Sequence, residues 1–145
     1  MIISESRIRR MIRESLLEAR SGCSRSTLRV GNRDIDVEIA DTPLLRDTGL
    51  MHRNRLSPDC GMLFCFPDSS VRGFWMKNTY IPLSIAFIDE EGIIVNIGDM
   101  SPHDLNSVFS LGDAVYALEM DRGWFDRNEI SQGDSIQNLP GPSSI

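Results

Sequence analysis

The first residues of the chain carry apolar side chains at the spacing of an α-helix. Positions three or four apart would form one apolar stripe along a helix of residues 4–19, at Ile8, Met11, Ile12, Leu16 and Ala19. Small polar residues interrupt this pattern over residues 21–26, as they do in a linker. The pattern therefore predicts an amphipathic N-terminal helix within residues 1–20 and a linker at 21–26.

From Thr27 the apolar period changes to that of a β-strand. Apolar and polar residues alternate on both sides of the turn dipeptide Gly31-Asn32, with the apolar positions at Leu28, Val30, Ile35, Val37 and Ile39. The residues between them, such as Asp36 and Glu38, are charged. This alternation predicts a hairpin with one apolar face and one solvent-exposed face.

Two short helices are predicted beyond this hairpin. Thr42 can cap a helix start with its side-chain oxygen, Pro43 suits the first helical position, and Gly49 suits the end. These three residues predict one or two helical turns between them. A further single helical turn is predicted after the turn residue Gly123.

Apolar runs bounded by turn residues predict the remaining strands. They lie at 62–66, 73–76, 83–88, 93–97, 114–120 and 134–137, and Pro67-Asp68-Ser69 would close the first of them. The tail 139–145 is predicted to be irregular. Together the pattern predicts a mainly β domain over residues 27–138. Its fold class would be a small barrel or a rolled antiparallel or mixed sheet with one or two short helices.

Length, composition and charge limit the class of protein. The 145 residues fit one domain, and 41% hydrophobic with 25% charged residues is ordinary for a folded one. A net charge of −6 offers no attractive field to nucleic acid. No apolar run approaches the roughly 20 residues of a membrane span, and the arginine-rich start lacks the apolar segment of a signal peptide. Because the cysteine count of 3 is odd, a secreted disulfide framework is disfavoured. We therefore expect a soluble, cytoplasmic protein that is not secreted by a signal peptide.

Several blocks of this sequence resemble the DUF192 family, a domain of unknown function. The most specific block is Phe74-Trp75-Met76-Lys77-Asn78-Thr79, and further matches lie at 37–43, 61–64, 85–89 and 116–119. The resemblance covers about residues 27–138 and leaves the N-terminal helix outside. It implies a compact β-barrel-like domain and brings no established activity. His52 and the stretch 103–113 depart from the family's pattern.

One group of residues is a candidate ligand site, namely Arg53, Trp75, Lys77, Asn78, Asp89 and Glu119. If 73–76 is a strand that runs on to Thr79, alternation places Trp75 and Lys77 on one side and Asn78 on the other. The cations Lys77 and Arg53 could neutralise a carboxylate on a ligand, which would make a small anionic-ligand pocket beside an aromatic wall. Alternatively, they pair with Asp89 or Glu119 inside the protein, and Asn78 belongs to a self-bonded turn.

Metal binding is the weaker interpretation of the sulfur-containing residues. Three thioethers, at Met51, Met62 and Met76, could hold Cu(I), but methionine is also a common filler of apolar cores, and we expect that role here. Cys60 and Cys65 are five positions apart, which is not the close spacing of a structural zinc site. We therefore predict no metal and no cofactor.

The sequence contains no recognisable catalytic motif. A nucleophilic mechanism needs Cys or Ser beside a base, and neither His52 nor His103 lies in such a signature. The isolated glycines do not form a phosphate-binding loop. We predict no catalytic residue and favour a non-enzymatic binding or accessory domain.

The apolar stripe of the predicted helix must pack on something, because a helix of this length is marginal alone in water. It could pack on its own domain, on a membrane surface, or on a protein partner, which the linker would permit, with docking residues Ile8, Met11, Ile12 and Leu16. The segment also resembles leader helices of large tailed-phage proteins. In that setting Leu16-Leu17-Glu18 followed by Ala19 is similar to a prohead-protease site. The resemblance implies that the helix would target the protein into a viral assembly and could be cleaved there, which makes a virion location the alternative to a cytoplasmic one.

Overall fold

The computed structural model of the protein describes residues 26–145. The strands are β1 (Ser26–Val30), β2 (Arg33–Ala40), β3 (Cys60–Ser70), β4 (Gly73–Phe74), β5 (Leu83–Ile88), β6 (Ile94–Met100), β7 (Val108–Phe109), β8 (Ala114–Asp121) and β9 (Ile136–Gln137). The helices are α1 (Pro43–Thr48) and α2 (Trp124–Arg127). The predicted N-terminal helix, its apolar stripe and the predicted processing site at Leu16, Glu18 and Ala19 lie outside the described residues.

Seven strands form one strongly curled sheet, a half-barrel, in the order β6-β5-β8-β3-β2-β1-β9. Neighbouring strands are antiparallel except β2 and β3, which run parallel. Strands β4 and β7 pair antiparallel as a separate two-stranded ribbon. The prediction of a mainly β domain with a rolled mixed sheet and two short helices is confirmed. Of the helices in residues 26–145, neither is long and apolar enough to cross a membrane.

The local patterns explain the elements at the start of the domain. Alternation of apolar residues pairs β1 with β2, with Leu28 opposite Ile35, and Gly31 takes the left-handed conformation that the tight turn requires (φ 60°). In α1 the Thr42 hydroxyl accepts a hydrogen bond from the backbone N–H of Leu45 at 3.2 Å, as an N-cap does. Pro43 occupies the first turn and Gly49 ends the helix, as predicted.

Two local predictions were wrong, and one strand was missed. Pro67 does not close the third strand, because β3 continues to Ser70. A register shift between Cys65 and Ser70 in the β3–β8 pair makes room for a residue that has no N–H to donate. β4 ends at Phe74, so strand alternation does not extend through the Trp75 to Thr79 block. β7 was not predicted, since a two-residue strand leaves no periodic pattern.

The sheet separates two apolar clusters, and β3 contributes alternate residues to each. Leu63 and Cys65 point into the first cluster, which α2 joins through Trp124 and Phe125. Met62 and Phe64 belong to the second cluster, which the chain segments around Leu50, Met76 and Ile81 cover. We call this side of the sheet the Phe64 face. It bears the candidate site.

Candidate functional site

A buried glutamate lies on the Phe64 face, in the middle of the sheet. Glu119 of β8 is directly opposite Met62 of β3 and Ile85 of β5, so its side chain shares their side of the sheet. It is only 5% exposed. Within residues 26–145 its carboxyl group takes part in no hydrogen bond and no ion pair of side chains. Burial without a partner disfavours the charged form and raises the pKa of Glu119 to about 8.

A cleft of about 660 Å³ opens above Glu119. Its walls come from the end of α1 and the residues after it, from Phe66, and from the segment 71–79. Among residues 26–145, every fully enclosed side-chain nitrogen or oxygen has a hydrogen-bond partner. The carboxyl oxygens of Glu119 make no such bond there and are therefore not fully enclosed. They reach the cleft.

Aromatic rings form one wall of the cleft. The ring of Phe74 packs edge-on against Phe64, with centroids 4.8 Å apart, and against Phe66 at 6.1 Å. Next to it Trp75 is 48% exposed, which is unusual for the largest apolar side chain. The ammonium nitrogen of Lys77 lies 5.4 Å from the Trp75 ring centroid, in cation–π contact. The predicted aromatic wall with a cation beside it is therefore present at Trp75 and Lys77.

The charged side chains that line the cleft are mostly basic. Arg46 and Arg72 lie over the Phe66 ring, with guanidinium carbons 5.3 and 4.0 Å from its centroid. Arg72 is held in place, since its Nε donates to the Ala114 carbonyl at 3.0 Å. Asp68 accepts a hydrogen bond from Arg72, which lowers the pKa of Asp68. Arg46 donates to the Cys65 carbonyl at 2.9 Å. These arginines, with Lys77, face one ordinary acid, Asp47, and the buried Glu119.

A rigid turn presents Asn78 to the same cleft. The backbone N–H of Thr79 donates to the Met76 carbonyl at 3.1 Å, and the Thr79 hydroxyl donates to the Lys77 carbonyl at 3.1 Å. Asn78 adopts the left-handed conformation (φ 53°), which asparagine tolerates better than most residues. Its carbonyl accepts from the His52 N–H at 2.9 Å. The turn is thus bonded through its own backbone, and the Asn78 side chain remains exposed at the cleft.

Arg53 does not reach the cleft. Its guanidinium forms two hydrogen bonds with the Glu38 carboxylate of β2, one of them Nη2 to Oε1 at 3.0 Å. Both side chains are largely buried, at 16% and 6% exposed. The sequence pattern placed Glu38 on the solvent-exposed face of the hairpin, and that prediction was wrong. Arg53 was expected to meet a ligand, Asp89 or Glu119, and it meets Glu38 instead.

Asp89 also lies apart from the cleft and has a local role. It follows β5, and its Oδ1 accepts hydrogen bonds from the backbone N–H groups of Glu91 at 2.9 Å and Ile93 at 3.0 Å. This arrangement shapes the β5–β6 turn. Of the six predicted site residues, the structure thus brings together Trp75, Lys77, Asn78 and Glu119, and it separates Arg53 and Asp89 from them.

Sequence reasoning missed two arginines and one aromatic residue of the cleft, namely Arg46, Arg72 and Phe66. Arg46 lies on a helix of only six residues, and Arg72 follows a strand whose end was misplaced. Neither position has a periodic pattern that would point to a cleft. An available indication was Glu119 itself, a lone acid in the apolar strand 114–120.

The sulfur-containing and imidazole side chains are dispersed. Met62 and Met76 are buried in the apolar cluster, whereas Met51 is half-buried at the cleft. Burial raises the pKa of the Cys65 thiol to about 12. Within residues 26–145, His, Cys, Asp and Glu side chains form no group of three that could hold a metal ion. His52 and His103 both pack against Tyr80, with ring centroids 6.1 and 5.1 Å away.

Two crystal structures resemble the protein in fold and sequence. A provisionally named transcription regulator of Sinorhizobium meliloti is 36% identical, with a TM-score of 0.72 over 77% of this chain and 89% of its own. A protein of unknown function from Novosphingobium aromaticivorans is 31% identical, with a TM-score of 0.71 over 77% of this chain and 83% of its own. No curated protein matches the chain in sequence.

The family comparison covers the same part of the chain as the motif blocks of the sequence. The model of the DUF192 family, described as an uncharacterized ACR, matches residues 26–138. This range includes every strand of the half-barrel and all the cleft residues named above. The chain therefore belongs to the DUF192 family.

Proposed function

We propose that this domain is a non-enzymatic binding domain whose cleft takes a small anionic ligand with an apolar or aromatic body. The observation that carries the proposal is Glu119, a buried carboxyl group without a partner in residues 26–145 at the base of the cleft. Its oxygens reach the cleft, so a ligand there can hydrogen-bond to a carboxyl group that no side chain of residues 26–145 engages.

The balance of charge around the cleft favours an anion. Arg46, Arg72 and Lys77 line it together with Asp47, and Asp68 balances the charge of Arg72, although the whole chain has a net charge of −6. Glu119 adds little negative charge at neutral pH, because burial raises its pKa to about 8. A locally basic cleft in an acidic protein attracts small anions and repels cations.

The aromatic wall supports a ligand with a flat apolar part. Trp75 exposes about half of its side chain at the cleft. Phe64, Phe66 and Phe74 lie behind it. Binding pockets commonly combine such an apolar wall with a few convergent polar groups. The anionic group would lie near Lys77 and Glu119, and the flat part would stack on Trp75.

Tryptophan fluorescence tests this proposal directly. The chain has 2 tryptophans. Trp124 is buried and its indole N–H donates to Asp59 at 2.9 Å, so a cleft ligand should perturb Trp75 alone. We expect aromatic carboxylates and phosphates, titrated as a panel with benzoate and phenyl phosphate among them, to change the emission of the full chain and to raise its melting temperature.

Two variants make the test specific. The Trp75→Phe variant should lose the fluorescence response but keep the thermal shift in reduced form, and Lys77→Met should weaken binding about tenfold. Arg29→Met is the matched control, since Arg29 is an exposed cation paired with Asp34 on β1 and β2. Equal affinity in Lys77→Met and Arg29→Met, or no binding by any anion of the panel, would contradict the proposal.

A second candidate function is protein docking. Exposed large apolar side chains are concentrated on and beside the β4–β7 ribbon, at Val71, Trp75, Leu105, Phe109 and Leu111. Clusters of this kind often mark interaction surfaces.

The predicted N-terminal helix is a second possible docking element, within residues 1–20. The sequence pattern alone supports this helix, its docking role and its delivery to a phage-type assembly.

Capture experiments with and without residues 1–20 test the docking role. We expect partners to be lost on truncation and on the substitution Leu16→Asp, whereas Leu17→Asp on the opposite side of the predicted helix should retain them. Mass spectrometry of the protein from its natural setting would reveal cleavage after Glu18. Unchanged capture by the truncated chain would exclude docking through this segment.

A further inference from the structure

We infer that Glu119 recognises the ligand as a neutral hydrogen-bond donor, and that the cleft releases its anion when Glu119 loses its proton. This inference rests on the proposed binding function and adds to it the group that selects the ligand and the signal that controls release. The ligand class it names is an anion with an acceptor oxygen, a carboxylate or a phosphate, that can approach an un-ionised carboxyl group.

The position of Glu119 in the sheet explains why it stays neutral. Within the sheet its nearest opposite neighbours, Met62 and Ile85, are apolar and can neither donate to a carboxylate nor balance its charge. Glu38 of β2 lies on the other side of Met62 in the same row of the sheet. Arg53 is paired with Glu38 and is therefore not available to Glu119. The cleft is the open side of this environment.

The charged groups on the elements around the cleft leave Glu119 unpaired as well. Arg46 and Asp47 come from α1, Arg72 precedes β4, and Lys77 lies in the turn after it. None of them forms an ion pair with Glu119. Arg72 is committed to Asp68 and to the Ala114 carbonyl. Arg46 likewise donates to the Cys65 carbonyl and to the main-chain oxygen of Ile145, both at 2.9 Å. Among the ion pairs of residues 26–145 none includes Lys77, so Lys77 is the cation best able to attract a ligand anion.

A neutral and an ionised Glu119 would treat an anion in opposite ways. With its proton, the carboxyl donates one hydrogen bond to a ligand oxygen, and hydrogen bonds to charged acceptors are the stronger kind. Without its proton it is an acceptor only, and its negative charge repels the ligand anion. Burial raises the pKa of Glu119 to about 8, so the change falls just above neutral pH. Proton linkage then predicts a loss of affinity of about tenfold for each pH unit above that value.

The test measures benzoate affinity of the full chain by calorimetry between pH 6 and pH 10. Benzoate keeps its charge throughout this range, so any change belongs to the protein. We expect constant affinity up to about pH 7.5 and a roughly tenfold fall per unit above pH 8. Glu119→Gln, which keeps a donor that does not titrate, should bind within about threefold of the parent at pH 7 and should not weaken at pH 9.

Two controls separate this inference from its alternatives. Lys77→Met should bind more weakly at every pH and retain the same midpoint, because the midpoint belongs to Glu119. Infrared difference spectra of the parent against Glu119→Gln report the protonated carboxyl without any ligand, and at pH 6.5 we expect its band in the parent only. An ionised Glu119 at pH 6.5, or an equal loss of affinity at pH 9 in Glu119→Gln, would overturn the inference and leave anion binding intact. Failure of benzoate to bind the parent at pH 6.5 would overturn the inference through the proposed function itself.

Discussion

Two buried glutamates on the same side of the sheet differ in almost every other respect. Glu38 of β2 and Glu119 of β8 are both directly opposite Met62 of β3, one on either side. Glu38 has a guanidinium partner in Arg53 and belongs to the framework. Within residues 26–145, Glu119 has no such partner and opens to a cleft. The comparison teaches that burial of an acid does not by itself distinguish a site from the framework, whereas burial without a partner marks a candidate.

The largest effect should come from breaking the framework pair. Arg53→Met leaves the Glu38 carboxylate buried without a partner, which should lower the free energy of unfolding by about 3–5 kcal/mol at pH 7. Urea unfolding measures this. Arg33→Met is the matched control, because its pair with Asp59 is exposed and should contribute only about 0.2–1 kcal/mol. If Arg53→Met lowers the free energy of unfolding no more than Arg33→Met does, the buried Arg53–Glu38 pair contributes no more to the fold than an exposed pair.

The next effect is a dependence of stability on pH that belongs to Glu119. Its pKa is 4.5 in an unperturbed chain and about 8 in the fold, so between these values the folded state holds a proton that the unfolded state has released. The contribution of Glu119 to the free energy of unfolding should therefore be complete below pH 4.5, decrease as the pH rises, and level off above pH 8. The loss between pH 4.5 and pH 7 should be on the order of 3 kcal/mol.

The Glu119→Gln variant isolates this contribution from those of other acids. Because glutamine does not titrate, the stability of the variant relative to the parent should increase steadily from pH 4.5 to pH 8. Parallel urea titrations of both proteins at each pH provide the difference. A constant difference across this range would show that Glu119 ionises normally in the folded protein.

A smaller effect should follow at Asp89, the other predicted site residue that lies apart from the cleft. Asp89→Ala removes the acceptor of two backbone N–H groups in the β5–β6 turn and should cost about 1–2 kcal/mol, with no change in anion binding. Glu90→Ala in the same turn is the control, since Glu90 is exposed, and surface changes of this kind are usually within about 0.5 kcal/mol. Thermal unfolding separates the two. Loss of anion binding in Asp89→Ala would contradict its assignment to the framework.

The smallest effect on stability should be found at the cleft itself. Trp75 and Lys77 are exposed, so Trp75→Phe and Lys77→Met should change the free energy of unfolding by less than about 0.5 kcal/mol. Chemical denaturation in the absence of ligand measures this. If these variants lose as much stability as Arg53→Met, Trp75 and Lys77 support the fold and are not free to serve as a binding surface.

Much of the fold could be predicted because its signals are local. The β1–β2 alternation, the Thr42 cap and the acidic turn after β5 each lie within a few residues. The ends of β3 and β4 could not be predicted in this way. They depend on pairing with β8 and β7, which lie much later in the chain.

The site could be predicted only in part, and for the same reason. Trp75, Lys77 and Asn78 are neighbours in sequence, so their motif block was enough to group them. The choice of partner for Arg53 depended on the curl of the sheet and the burial of Glu38, which an alternating pattern does not reveal. Arg46 and Arg72 reach the cleft from segments far apart in sequence, and only their shared contact with Phe66 brings them together.

The order of the strands in space has a further consequence for how the chain becomes folded. β3 gains its antiparallel neighbour only when β8 is available, and β1 gains its second neighbour last of all, from β9. Domains dominated by such distant pairings fold slowly, in roughly milliseconds to seconds. During synthesis, a chain that has not yet reached β8 exposes the β3 edge, which makes this stage the one most open to aggregation and to rescue by chaperones.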